Sequence, residues 1–106
     1  VEGKNGLKNI VRICSVPHID IIYIGTYDLS VSLGLPGQVK HPRVMKAFER
    51  SIKIISASGK CGGGMAHTVD EMAYFYRVGT RLITYKTDTA MLYGAFRVIT
   101  EEFKKL

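Results

Sequence analysis

The chain lacks the features that mark disulfide-rich, secreted and membrane-spanning proteins. Its two cysteines, Cys14 and Cys61, are too few for a disulfide framework. No apolar run approaches the roughly 18 residues that a membrane-spanning helix requires. The N-terminus has neither a signal-peptide pattern nor a starting Met. These absences predict a cytoplasmic location, reduced thiols and no membrane partner. The missing Met predicts a chain that has been processed, cut or incompletely described.

The composition is that of an ordinary globular protein. The 106 residues are 46% hydrophobic and 23% charged, which excludes a disordered or collagen-like chain and predicts one domain over residues 1–106. The net charge is +6, without any run of adjacent basic residues. A solvated helix face accounts best for the basic residues that recur every three or four positions, although attraction of anionic substrates or nucleic acid remains an alternative. No nucleic-acid recognition motif stands beside them, so no nucleic-acid partner is predicted. These residues are Lys40, Arg43, Lys46, Arg50 and Lys53.

Helical and strand patterns alternate along the chain. The predicted order is a helix over residues 7–14, a strand over 19–24, a loop over 26–40, a helix from Pro42 to Gly59, a glycine-weakened strand over 61–66, a helix from Thr68 to Gly79, a strand over 81–85 and a last helix capped by Asp88 or Thr89. The last helix is predicted to run through Met91, Leu92, Ala95, Phe96, Ile99 and Phe103. This alternation predicts an α/β fold with parallel strands, as a doubly wound sheet or a (β/α)8 barrel.

In both folds, functional groups collect where strands end. Asp28 follows a buried strand, where a carboxylate serves as a metal ligand or ion-pair partner, or simply caps a helix or turn. If Val1 ends an earlier strand, then Glu2 stands at a strand end too, and the two carboxylates suit one hard divalent cation. The glycines at 62–64 allow either close approach of a ligand or close packing of the strand.

Several common site motifs are missing. His18, His41 and His67 do not have the spacing of metal ligands, and Cys61 with His67 is too isolated to form a zinc site. The triple glycine is not followed by the Gly-Lys-Ser/Thr of a phosphate-binding loop, and no Gly-x-Ser-x-Gly element occurs. Cys14 lies among apolar residues and is predicted to be a core residue.

One long block nevertheless resembles a known family. Residues 23–38, from Tyr23 to Gln38, are similar to the Ile-Gly-Pro-x-Asp-Leu-Ser-x-Ser-Leu-Gly-x-Pro-Gly-Gln stretch of the HpcH/HpaI aldolase family. Residues 41–44 resemble its His-Pro-Glu-Val helix start, and residues 87–92 resemble its Ser-Asp-Thr-x-Leu-Leu segment. Glu2 falls where the family has a glutamate at the end of the fifth barrel strand. The resemblance covers essentially the whole chain.

The resemblance implies the C-terminal half of a (β/α)8 barrel, from the end of strand 5 to helix 8. It implies a class II aldolase, a carbon–carbon lyase that cleaves a 2-keto-3-deoxy or 4-hydroxy-2-keto acid to pyruvate and an aldehyde. Glu2 and Asp28 would be the ligands of Mg²⁺ or Mn²⁺, and Tyr27 and Asp28 would contact the substrate, Tyr27 through its backbone. The bound cation would act as a Lewis acid.

The chain also departs from the family pattern. Thr26 stands where proline is usual, Gly3 where threonine is common, and Lys86 where a small residue is expected. The family's histidine base and its arginine lie on earlier strands, and we expect both upstream of Val1. The chain alone is therefore predicted to have little or no aldolase activity. It is expected to be a fragment, or to have its missing half supplied by other chains, and a homo-oligomer is predicted. A non-catalytic half-barrel that serves in assembly or binding is the alternative.

Overall fold

The computed structural model describes residues 1–106 and contains three strands and six helices. The strands are β1 (Ile21–Tyr23), β2 (Cys61–Ala66) and β3 (Leu82–Tyr85). The helices are α1 (Lys4–Lys8), α2 (Ile10–Cys14), α3 (Thr26–Ser32), α4 (Pro42–Ala57), α5 (Val69–Val78) and α6 (Asp88–Phe103). None of these helices combines the length and the apolar character needed to cross a membrane.

The three strands form one parallel sheet in the order β1-β2-β3, which confirms the predicted α/β fold. Val1 extends this sheet beyond β1. Its ammonium nitrogen donates to the carbonyl oxygen of Tyr23 at 2.6 Å, and the Gly25 amide donates to the Val1 carbonyl at 3.0 Å. Two such bonds to residues on either side of Ile24 are the pattern of a parallel strand pair. Val1 thus occupies the position of a strand end, as the sequence suggested.

Glycines in β2 allow α4 to pack closely on the sheet. A Cβ on Gly62 would lie 2.7 Å from Cδ1 of Ile52, and one on Gly64 would lie 2.8 Å from Cε2 of Phe48. Both contacts are too short for any side chain, so these two glycines serve close packing of the strand. The core that results consists of Ile10, Cys14, Ile22, Ile24, Leu29, Val44, Phe48, Ile52, Ile55, Ala66 and Phe75.

Two predicted elements differ in the structure. The loop predicted over 26–40 begins with helix α3, whose Leu29 and Ser30 are completely buried. That helix spans seven residues, which is too short for an apolar periodicity to distinguish it from a loop. The helix predicted over 7–14 is interrupted at Asn9, whose φ of −99° and ψ of 9° separate α1 from α2.

Most helix ends follow the predictions. The Thr68 hydroxyl accepts from the Glu71 amide at 3.2 Å, Pro42 begins α4, and Gly79 ends α5 with a φ of +106°. The cap predicted for α6 is wrong, because its N-cap is Thr87 instead of Asp88 or Thr89. Threonine hydroxyls and aspartate carboxylates are both good N-caps, so residue type alone does not choose between neighbours.

Helix α6 contains the apolar residues predicted for it, and none of its residues is buried. Its apolar side chains stand in solvent, with Phe96 at 61% and Phe103 at 73% exposure. An amphipathic pattern identifies the face that avoids water, but it does not say which surface covers that face. No other part of this chain covers the apolar face of α6. The molecule extends to 58 Å along its longest axis.

Candidate metal and substrate site

Glu2 owes its position to the strand pairing of Val1. The two hydrogen bonds that join Val1 to Tyr23 and Gly25 hold Glu2 at the carboxyl end of the neighbouring strand. Its side chain lies over Gly25: a Cβ built there would lie 2.8 Å from Glu2 Cγ and 3.2 Å from Oε1. The absence of a side chain at Gly25 is therefore what leaves room for the glutamate.

Asp28 is placed by the short helix that follows β1. Gly25 is the N-cap of α3, so Asp28 lies in the first turn of that helix. Burial of Leu29 and Ser30 fixes the helix against the core, while Asp28 itself is exposed. The fold thus brings Glu2 and Asp28 to the same edge of the sheet, on two neighbouring strand ends. Asp28 does not cap the helix, which removes one of the alternative roles considered for it.

Both carboxylates are exposed and free of protein cations. The ion pairs of the chain involve Glu71, Glu101 and Glu102 instead. No cluster of three or more metal-ligating side chains exists, so no third such ligand accompanies Glu2 and Asp28. Two carboxylates with open space beside them fit Mg²⁺ or Mn²⁺, because these cations prefer oxygen ligands and commonly keep several positions for water or substrate.

Tyr27 precedes Asp28 in the first turn of α3. Its side chain is 62% exposed, and its amide lies in the first turn of α3, where backbone N–H groups lack intrahelical acceptors. Such an amide, at the strand end beside Asp28, is available to a substrate carboxylate.

Ser30 holds the loop after α3 in shape, a role that the sequence analysis missed. Its hydroxyl donates to the Tyr27 carbonyl at 2.6 Å and accepts from the Gly37 amide at 3.1 Å. Its carbonyl accepts from the Leu35 amide at 2.8 Å. One buried serine therefore ties the substrate-side turn of α3 to the loop. The available signal was a serine inside the most family-like block of the chain.

A cleft of about 530 Å³ lies where α4 and α5 begin, and neither Glu2 nor Asp28 lines it. Thr26, the residue that replaces the usual proline, is part of its lining. Across it, the Lys40 ammonium lies 2.8 Å from Glu71 Oε1, and the His67 amide donates to Glu71 Oε2 at 2.6 Å. Burial alone would raise the pKa of Glu71, but Lys40 and the His67 amide outweigh it and lower that pKa below its ordinary value.

Tyr74, which also lines this cleft, donates a hydrogen bond to Glu49. Burial and this carboxylate together raise the pKa of Tyr74 to about 12. The phenol is therefore neutral at physiological pH and remains a hydrogen-bond donor within the cleft wall.

None of the three histidines forms part of the site at Glu2 and Asp28. His41 is the N-cap of α4, where its Nδ1 accepts from the Arg43 amide at 3.2 Å. His18 is exposed and adopts a positive φ of 62° in the turn before β1. His67 lies beside the cleft, with its amide bonded to Glu71. No histidine side chain is hydrogen-bonded to Glu2 or Asp28.

The curated proteins of similar sequence include aldolases. The chain is 35% identical over 105 residues to a hydroxypyruvate/pyruvate aldolase of Roseobacter denitrificans, covering 99% of this chain and 41% of that protein. It is 40% identical over 94 residues to a 2-keto-3-deoxy-L-rhamnonate aldolase of Escherichia coli, covering 89% of this chain and 35% of that protein. The chain therefore spans well under half the length of these relatives.

The fold agrees with these sequence matches. A crystal structure of an HpcH/HpaI aldolase/citrate lyase family protein from Burkholderia cenocepacia superposes with a TM-score of 0.93 at 31% identity, covering 98% of this chain and 40% of that one. The prediction of part of a (β/α)8 barrel is confirmed by this likeness. Residues 1–95 also match the sequence profile of one family. The chain belongs to the HpcH/HpaI aldolase/citrate lyase family.

Proposed function

We propose that the chain provides the metal-binding part of a class II pyruvate aldolase. The reaction would be cleavage of a 2-keto-3-deoxy or 4-hydroxy-2-keto acid to pyruvate and an aldehyde. The observation that carries this proposal is the pairing of Val1 with β1, which puts Glu2 over Gly25 and on the same sheet edge as Asp28. The names of the two relatives, a pyruvate aldolase and a 2-keto-3-deoxy acid aldolase, support the same substrate class.

The residues at this edge would have separate roles in binding the metal and in orienting the substrate. Glu2 and Asp28 would hold Mg²⁺ or Mn²⁺, which supplies Lewis acidity toward the keto acid when bound. The Tyr27 amide would donate to the substrate carboxylate and orient it beside Asp28. Ser30 keeps the Tyr27 turn in place through its 2.6 Å bond to the Tyr27 carbonyl.

The proton-transfer groups of the reaction are expected outside these 106 residues. No histidine accompanies Glu2 and Asp28, and a carbon–carbon cleavage needs a base within hydrogen-bond reach of the hydroxyl that it deprotonates. We therefore propose that the chain by itself binds the metal but releases little or no pyruvate, and that a histidine base and an arginine come from a further part of the protein.

Metal titration tests the proposal directly. Electron paramagnetic resonance of free Mn²⁺ should show one site in the chain, and Glu2→Gln or Asp28→Asn should each weaken it at least ~100-fold. Asp20→Asn is the matched control, because Asp20 is an exposed acid that precedes β1 and so lies at the opposite edge of the sheet. Equal Mn²⁺ binding in all four proteins would exclude a metal site at Glu2 and Asp28.

A second proposal concerns assembly. No residue of α6 is buried, and Ile21 and Leu82 are exposed on the sheet face opposite α4. These apolar surfaces favour a homo-oligomer, or the non-catalytic assembly module considered above, over an isolated monomer. Light scattering after size exclusion tests it, and a monomer at all accessible concentrations would contradict it.

The two unpaired cysteines support the cytoplasmic location that we propose for the protein.

A further inference from the structure

The backbone at Gly25 does not itself require glycine. Its φ of −80° and ψ of 97° are extended values that any residue with a side chain adopts. Its two backbone hydrogen bonds, from its amide to the Val1 carbonyl and from the Leu29 amide to its carbonyl, are both 3.0 Å long and would survive the addition of a methyl group. Conformational freedom therefore does not explain the absence of a side chain at this position.

The space above Gly25 is taken by the metal-ligand candidate instead. The three atoms nearest to a Cβ there all belong to Glu2, with Cγ at 2.8 Å, Oε1 at 3.2 Å and Cδ at 3.4 Å. The Glu2 backbone is not free to retreat, because the preceding residue is held by hydrogen bonds on both sides of Ile24. A methyl group at Gly25 would thus be accommodated by rotation of the Glu2 side chain, which moves the carboxylate.

We infer that Gly25 is a positioning residue, whose lack of a side chain seats the Glu2 carboxylate over the end of β1. The inference concerns the placement of Glu2, and its consequence for metal binding rests on the proposed function. Gly25 touches no reacting atom and acts through the side chain that lies on it. A larger residue at this position should leave the fold intact and displace the carboxylate from the edge that it shares with Asp28.

The test compares Gly25→Ala with Gly3→Ala. Gly3 flanks Glu2 in the chain, but a Cβ on it would meet nothing closer than Ser32 Cβ at 3.8 Å, so Gly3→Ala is the matched control. In the metal-free chain, a nuclear Overhauser effect is expected between the Glu2 γ-methylene and the Gly25 α protons. Gly3→Ala should keep this effect, and Gly25→Ala should shift the Glu2 γ-methylene resonances and change the Glu2 rotamer.

Mn²⁺ affinity provides the second readout. Gly25→Ala should weaken binding about 10- to 100-fold, the usual cost of disturbing a residue that orients a ligand, and Gly3→Ala should not. In a Glu2→Ala background, where Cγ is absent, Gly25→Ala should have no further effect on the residual affinity. If Gly25→Ala alone fails to fold, the double variant Glu2→Ala/Gly25→Ala should fold, because the obstructing atoms are gone.

The outcomes separate the two proposals. An unchanged Glu2 rotamer in Gly25→Ala overturns the inference, as does a double variant that remains unfolded where Gly25→Ala is unfolded. A changed rotamer in a chain that binds no Mn²⁺ supports the placement of Glu2 by Gly25 and refutes the proposed metal site. A changed rotamer with weakened Mn²⁺ binding supports both.

Discussion

The hydroxyls of Tyr23 and Thr84 are hydrogen-bonded at 2.6 Å, although these residues belong to β1 and β3 and the whole of β2 lies between them. The Tyr23 ring crosses β2 at Gly63, its partner in register. A Cβ on Gly63 would lie 2.7 Å from Tyr23 Cδ2. The absence of a side chain at Gly63 therefore leaves space for the Tyr23 ring on the open face of the sheet. Gly62 and Gly64 allow α4 to pack closely on the other face.

Gly63→Ala should thus destabilise the chain more than Tyr23→Phe. The phenylalanine variant loses one hydrogen bond, about 1 kcal/mol, whereas a methyl group at Gly63 displaces the ring, at a cost of about 1–3 kcal/mol. Gly94→Ala is the control, because a Cβ there meets nothing within 4 Å and alanine favours a helix. Urea unfolding measures all three. A smaller loss in Gly63→Ala than in Tyr23→Phe would contradict this account.

The elements that could be predicted from the sequence are those whose ends are determined by nearby residues. Pro42, the pair Thr68 and Glu71, and Gly79 determine helix ends through local hydrogen bonds and backbone preferences, and the structure has each where it was predicted. Parallel pairing followed from the alternation of helices and strands. The metal-ligand prediction for Glu2 and Asp28 came from their places at strand ends and from family resemblance. It remains a prediction, although the structure puts both residues at one sheet edge.

What could not be predicted depends on contacts between distant parts of the chain or with other chains. The reason for glycine at Gly25 is the side chain of Glu2, 23 positions away, and no local pattern contains that information. The exposure of the apolar face of α6 could not be predicted, because the pattern of a helix does not reveal whether its own chain covers it. Short α3 escaped notice because seven residues contain too few turns to establish a period.

A buried hydroxyl offers a route to greater stability. Thr80 is completely buried, and its Oγ1 has no hydrogen-bond partner. Valine has nearly the same shape and no polar atom to desolvate, so Thr80→Val should raise the free energy of unfolding by about 1 kcal/mol. Thr100→Val is the comparison, because that exposed hydroxyl donates to the Phe96 carbonyl at 2.8 Å. Thermal unfolding of the two variants and of the unaltered chain tests this prediction. A lower unfolding midpoint for Thr80→Val than for the unaltered chain would show that the hydroxyl is needed.

The lowered pKa of Glu71 predicts a pH-dependent stability. Because the folded-state pKa lies below the ordinary value of 4.5, the ionised carboxylate stabilises the fold fully above pH 4.5, and this contribution disappears as the pH falls through the folded-state pKa. Glu71→Gln should therefore cost about 0.5–1 kcal/mol at neutral pH and progressively less below pH 4.5, since Lys40 is largely exposed.

Urea midpoints measured from neutral pH down to the acid range check this expectation for Glu71. Glu101→Gln serves as the control, because Glu101 is exposed and its Lys104 partner lies 3.7 Å away, so its effect should be small throughout. A penalty for Glu71→Gln that stays constant into the acid range would refute the assigned role of the Lys40 and His67 contacts.

The exposed helix α6 predicts a specific effect of charge on assembly. Leu92, Phe96, Ile99 and Phe103 share one face by their spacing, and all are more than half exposed. Phe96→Glu should reduce the oligomeric mass because a charge in that face is costly to bury. Ala90→Glu adds the same charge on the opposite side of the helix and should leave the mass unchanged. Equal masses for both variants, measured by light scattering, would mean that this face is not the contact.

The proposed division of the active site between this chain and the rest of the barrel predicts that activity returns when the rest of the barrel is supplied. The 106-residue chain with Mn²⁺ should release no pyruvate above background in an assay coupled to lactate dehydrogenase. A chimera in which it replaces the matching region of the Escherichia coli 2-keto-3-deoxy-L-rhamnonate aldolase should release pyruvate from that enzyme's substrate.

Within this chimera, Asp28→Asn should lower the rate at least ~100-fold and Asp20→Asn should not, since only the first lies at the carboxyl edge of the sheet. Robust pyruvate release by the chain alone would contradict the expectation that its base lies elsewhere. A folded chimera that is inactive with Mg²⁺ and with Mn²⁺ would count against catalysis and favour the assembly role, because the chain would then fit the barrel without completing its chemistry.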